Sequence, residues 1–189
     1  VIICDVAGKG ISASLIMVQI RSIFHTFLTQ QEKSAAHLLE LINENLAKSI
    51  QAGLFATLFF FIYNEKTKEL IFANAGHGPL IYFSAKDNKL KSITTEGVPP
   101  AGIMPGTRYK DYKVQMSTGD FIVLYTDGIS EAMNEQREEY GEDRLNRLIV
   151  ELSKKSAEDI NNDIIRDLQQ FVGEAEQSDD ISLIISKIK

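Results

Sequence analysis

The chain has 189 residues, 44% of them hydrophobic and 24% charged, a composition that excludes a disordered or fibrous protein. Its net charge of -6 and a pI near 5.1 argue against a general affinity for nucleic acid. Cys4 is the single cysteine, so there is neither a disulfide framework nor a thiol metal site, and a reducing, cytoplasmic compartment is expected.

The first ten residues, Val1-Ile2-Ile3-Cys4-Asp5-Val6-Ala7-Gly8-Lys9-Gly10, set up the reading of the rest. A short apolar run predicts a buried strand over 1–5 that ends in a carboxylate beside a glycine-bearing turn. Burying a carboxylate is costly unless something positive meets it, so Asp5 reads as a metal ligand or a phosphate-handling group. Residues 11 to about 29 predict a helix whose apolar positions cover more than one face, so that both sides are expected to meet protein. Ser34 is placed to cap a second helix running to about Ile50.

From Phe55 the period changes. Strands are expected over Phe55 to Tyr63 and Glu69 to Ala75, joined by a polar turn, and then over Leu80 to Ser84 and Lys89 to Thr94. The Phe55 to Phe61 aromatics read as core. A proline- and glycine-rich loop occupies 97–106, followed by strands over Tyr109 to Met116 and Phe121 to Thr126. The second of these again ends in an acid, Asp127. A short helix over 128 to about 134, a solvated charged segment from Glu135 to Glu139, and helices over Glu142 to Leu152 and from Ser156 to about Phe171 come next. Ser156 heads a capping-box pattern. A last strand is expected over Ile181 to Ile188, with Asp179 and Asp180 at its start.

No stretch shows a repeat, a domain linker or a signal peptide, and the most apolar run, Leu54 to Ile62, falls well short of the roughly 20 residues of a membrane helix. A single domain over 1–189 is expected, with no membrane contact. Strands and helices in separate blocks predict an α+β layering. The start at Val1, inside an apparent strand and without an initiator Met, reads as a fragment of a longer protein.

Asp5, Asp127 and Asp179 or Asp180 thus stand at strand ends beside turns. One such Asp is more often a turn or helix cap. A cluster of oxygen ligands with no His or Cys would suit Mg²⁺ or Mn²⁺ and not zinc. Gly8-Lys9-Gly10 lacks the Ser or Thr that a Walker motif carries after its lysine. Ala7 stands where a haloacid-dehalogenase-like site would have its second Asp. Lys9 and His77 are candidate substrate contacts, against the alternatives of a solvated turn lysine and a turn whose shape alone matters. His25 and His37 fall on helices and read as structural.

Taken in order, these motifs resemble the metal-dependent protein phosphatase (PPM) superfamily, in its SpoIIE-like and RsbU-like bacterial branch. The resemblance rests on Asp5-Val6-Ala7-Gly8-Lys9-Gly10 before a long helix, Phe55-Ala56-Thr57-Leu58, Asn74-Ala75-Gly76-His77-Gly78-Pro79, the Gly102 loop, Tyr125-Thr126-Asp127-Gly128-Ile129-Ser130-Glu131-Ala132 and Ser178-Asp179-Asp180-Ile181-Ser182-Leu183. It implies a β-sandwich of two antiparallel sheets flanked by helices and lacking its first strands. It implies a serine/threonine phosphoprotein phosphatase using two Mn²⁺ or Mg²⁺ ions. Asp5 is similar to the bridging carboxylate, the backbone carbonyl of Val6 to a further ligand, and Asp127 and Asp179 to the remaining carboxylates, with Asp180 ranked second at that site.

The resemblance also implies a phosphorylated anti-anti-sigma-like (STAS) protein as substrate, an upstream sensor domain, and the first two helices as a link to regulatory or dimer contacts, with a homodimer left open. Members carry a further metal-ligating Asp upstream of the Asp5 motif. An incomplete second metal site and little or no activity are therefore expected of this stretch alone. A non-catalytic phosphoprotein-binding module, a pseudophosphatase, is the alternative.

Overall fold

The computed structural model describes residues 1–30, 34–49, 54–95 and 97–189. It divides into two compact units, one built from residues 1–77 and 95–115 and the other from 78–94 and 116–189.

The first unit carries an antiparallel sheet in the order β1-β2-β3-β6, formed by Ile2–Val6, Ala56–Asn64, Glu69–Ala75 and Tyr112–Gln115. Alternation along the strands sorts the side chains. Ile2, Cys4 and Val6 of β1, with Ala56, Leu58 and Phe60 of β2, pack on helices α1 (Ile11–Leu28) and α2 (Ala35–Ser49). Ile3 and Asp5 point to the opposite face, which also carries the stacked rings of Phe59, Phe72 and Tyr112.

Helix α2 starts where Ser34 predicts. The Ser34 hydroxyl accepts from the His37 N–H at 3.1 Å and donates to Asp111 at 2.9 Å, while the Asp111 carboxylate also takes the Ala36 N–H at 2.7 Å. The expected strand over Tyr109 to Met116 is shorter than its pattern, and Asp111 at its lead-in caps α2. The end expected for α2 at Ile50 lies outside the described residues.

Helix α1 departs from its sequence reading. Ile16, Ile20 and Phe27 are buried, but Ile11 is 81%, Leu15 64% and Val18 65% exposed, so one apolar face meets no protein among the described residues. With 18 residues, a mean hydropathy of 1.4 and 17% of it buried, α1 is long and apolar enough to cross a membrane by length and composition, a test that core helices also pass. The length criterion applied to Leu54 to Ile62 did not reach this helix.

The second unit carries the sheet β5-β4-β7-β8, formed by Lys89–Ile93, Leu80–Ser84, Phe121–Tyr125 and Leu183–Lys187, antiparallel throughout. The central strands β4 and β7 are buried along their whole length. Helices α4 (Glu142–Leu152) and α5 (Ala157–Val172) bury Leu145, Ile149, Ile160, Ile164 and Leu168 in a core shared with Phe83, Phe121 and Val123.

Two polar groups organise this unit. The buried Asp120 carboxylate accepts from the Tyr82 hydroxyl at 2.6 Å and from the backbone N–H groups of Ser117 and Ala85 at 2.7 and 2.8 Å. Its hold on the Tyr82 proton, together with burial, pushes the phenol up to about 12, burial being the larger cause. At the same end of the sheet, where Lys187 pairs with Phe121, Lys187 Nζ donates to the carbonyls of Ser153 and Lys155 at 2.6 and 2.7 Å, closing the C-terminus of α4.

Candidate functional site

Asp5 is the penultimate residue of β1, an edge strand of its sheet. Its cross-strand partner is Thr57, so the two side chains share a face. Thr57 Oγ1 lies 3.0 Å from His77 Nδ1. His77 is delivered there by a side-chain clamp: Asn74, 4% exposed, accepts the His77 N–H at 2.8 Å and donates to the His77 carbonyl at 3.0 Å. Gly76 completes the turn at φ 69°, and a Cβ there would overlap the Pro100 ring. The structure therefore brings His77 to the strand neighbour of Asp5, a link carried by Thr57 and Asn74 that sequence reading did not assign. An Asn two residues before a Gly-His pair, where a side-chain clamp on a turn is common, was the available signal.

After Asp5 the chain turns sharply. Ala7 donates its N–H to the Phe55 carbonyl at 2.9 Å, and Gly8 and Gly10 take φ of 98° and 77° before α1 begins. Val6 is the last residue of β1, and Lys9 is exposed on the turn. Burial, and then the charge of Asp5, push the Cys4 thiol up to about 12, far from the range of a ready thiolate ligand.

In the second unit, Asp127 opens the one-turn helix α3 (Asp127–Ser130) straight after β7. The preceding Thr126, 3% exposed, ties this junction to the segment before β8. Its hydroxyl donates to the Asp180 carbonyl at 2.8 Å and accepts the Ser182 N–H at 2.9 Å, and its own N–H reaches the Ser182 carbonyl at 3.1 Å. Gly128 lies so close that a Cβ there would overlap the Asp180 carbonyl. Asp127 and the Asp179-Asp180 pair are thus stitched into one neighbourhood, and all three are exposed.

Asp179 Oδ1 accepts the Asp180 N–H at 2.8 Å, and Gln177 Nε2 donates to the Asp179 carbonyl at 2.7 Å. The acids do not stand at the very start of the strand, because β8 begins at Leu183. Thr126 escaped notice in the sequence because it reads as the last residue of an apolar strand.

Among the described residues, Asp127, Asp179 and Asp180 join no ion pair. Exposed carboxylates without a cationic partner offer hard oxygen donors that fit Mg²⁺ or Mn²⁺. Within neither unit do three His, Cys, Asp or Glu side chains, among the described residues, stand close enough to form a metal cage by themselves.

The fold is that of the PP2C-type phosphatases. The RsbU and RsbW domains from Mycobacterium tuberculosis superpose with a TM-score of 0.82 at 22% identity, covering 99% of this chain and 51% of that one. The PP2C phosphatase domain and regulatory-domain fragment of SpoIIE from Bacillus subtilis give a TM-score of 0.81 at 17% identity, covering 99% and 53%. The family description Stage II sporulation protein E (SpoIIE) matches residues 1–189, and the chain belongs to that family. It is 32% identical over 190 residues to phosphoserine phosphatase RsbU of Bacillus subtilis, covering 99% of this chain and 55% of that protein. The chain thus spans about half the length of that relative.

Proposed function

We propose that the chain is a metal-dependent serine/threonine phosphoprotein phosphatase domain. The observation that carries this reading is the Thr126–Asp180 stitch, which sets Asp127 beside Asp179 in a chain that matches a phosphoserine phosphatase over 99% of its length. Asp5, the Val6 carbonyl, Asp127 and Asp179 would hold Mn²⁺ or Mg²⁺, with Asp180 as the second choice to Asp179. When bound, the ions supply a water of lowered pKa and neutralise charge on the phosphoryl oxygens.

The chain's own groups do the placing. Thr126 fixes the spacing of two acidic segments, Gly128 permits their approach, and the Gly8–Gly10 turn sets the Val6 carbonyl. His77, oriented by Asn74 and Thr57, and Lys9 on its turn are the groups assigned to the phosphoprotein. The substrate is a phosphorylated STAS-type signalling protein in the cytoplasm, and a sensor domain acting through α1 controls its hydrolysis.

The test is release of phosphate from a phosphoserine protein with Mn²⁺ by the full-length protein, which would carry the further upstream Asp that the resemblance implies; this stretch alone should be nearly inactive. Asp127→Asn and Asp5→Asn should each lower turnover by about 100-fold or more, since even loss of a group that only orients a metal ligand costs about 10- to 100-fold. Tight phosphoprotein binding with no metal-dependent turnover would sink the enzymatic reading in favour of a pseudophosphatase.

A further inference from the structure

A pocket of about 190 Å³ opens in the second unit, outside the carboxylate set. Its walls are apolar: Ala132 beyond α3, Ile165, Leu168 and Val172 on α5, and Ile181 before β8. Its rim is not. Glu176 lines it, and the Glu135 carboxylate leans over the lining residue Gly173, 3.1 Å from where a Cβ would stand, while accepting the Glu174 N–H at 3.3 Å. No lysine, arginine or histidine appears among the described lining residues. Among the described residues neither Glu135 nor Glu176 is in an ion pair.

Size and charge select the occupant. Pockets that enclose drug-sized molecules run to about 300–1,000 Å³, so this one has room for a single side chain. Two unpaired carboxylates at the mouth repel phosphate, fatty acids and nucleic acid. A lysine or arginine has the complementary form, with an aliphatic stem that packs on apolar surface and a cationic head kept at its edge. We propose that the pocket receives one lysine or arginine side chain of a partner protein, its stem against Ile165, Leu168 and Val172 and its head at Glu135 and Glu176. Gly128 and Ser178, neighbours of Asp127 and Asp179 in sequence, line the same pocket. An occupant therefore rests on the backbone that carries those acids. The binding itself needs no metal and does not depend on the phosphatase reading.

The test is methyl NMR of the whole chain titrated with the N-acetyl, N′-methyl amides of lysine, arginine and norleucine, and with cadaverine. The lysine or arginine amide should give saturable shifts at Ile165, Leu168 and Val172. The uncharged norleucine amide should bind about 2- to 5-fold more weakly, the scale of an exposed ion pair. Glu135→Gln combined with Glu176→Gln should bring the lysine amide down to the norleucine level. Both changes lie at exposed positions, and the comparison of amides on the unaltered chain stands without them. Norleucine binding as tightly as lysine would show an apolar-ligand pocket and overturn the proposal. So would cadaverine binding about tenfold tighter than any amide, or the absence of shifts at these methyls.

Discussion

Gly128 shows how much a single residue can decide. Its Cα approaches the Asp180 carbonyl so closely that any side chain must displace backbone, which cannot swing aside as a flexible side chain would. Gly128→Ala should therefore destabilise the chain by about 2–3 kcal/mol, a cost typical of overpacking, measured as a lowered urea midpoint. Pro- or Gly-free neighbours such as Thr126 act more quietly. A Thr after an apolar run is ordinary, and nothing in the sequence says that its hydroxyl serves both Asp180 and Ser182. The acids were legible because charge at the end of an apolar run is unusual. Their fastening was not, because hydrogen bonds between residues more than fifty apart leave no local pattern.

At the scale of elements, helices α4 and α5 were readable to within a residue or two, since three- and four-residue apolar spacing coincides with the Ser156 cap. Helix α3 was not. A helix to about residue 134 is expected, yet it stops at Ser130. Asn134 captures the N–H groups of Gln136 and Glu138 at 3.0 and 2.9 Å, and Met133 bridges to Glu139, so the charged segment forms a tight return instead of a helical turn.

The pairing of α4 with α5 is fixed by Arg144, which donates through Nε and Nη2 to Asp167 at 2.8 and 2.9 Å, while the Tyr140 hydroxyl donates to the same carboxylate at 2.7 Å. The Arg144 guanidinium holds the Asp167 carboxyl below the usual carboxylate range. A depressed pKa stabilises the fold above the unfolded value near 3.9 and loses that contribution as pH falls through the folded value. Since the pair is partly exposed, Asp167→Asn should cost only about 1 kcal/mol at pH 7. The difference from the parent should begin to shrink below about pH 4 and vanish only once pH has fallen through the lower folded value, where both carry a neutral group, and urea unfolding across that range measures it.

For the whole molecule, the strand sequence was legible and the sheet partners were not. The strands β3 and β6 pair across the intervening β4 and β5, which belong to the other sheet, and only long-range burial selects such a topology. The same holds for the candidate ligands, since Asp5 belongs to the first unit and Asp127, Asp179 and Asp180 to the second. A ligand that binds the folded chain and not the unfolded one must raise its stability. Mn²⁺ at about 100 times its dissociation constant should add about 2.7 kcal/mol, read as a raised Tm. Asp127→Asn should remove that rise while leaving the metal-free Tm nearly unchanged, because its side chain is exposed. An equal rise in the variant would disqualify Asp127 as a ligand.

The lysine that closes α4 has a consequence for covalent chemistry. Acylating reagents need an amine lone pair with open access, and the Lys187 amine is committed to two carbonyls and lies over the Phe121 ring, 5.5 Å from its centre. In a footprinting time course Lys187 should be acylated several-fold later than Lys86 or Lys154, which are exposed on turns. Once modified, it could no longer close the helix, so late labelling should arrive together with exposure of the α4 C-terminus to proteolysis.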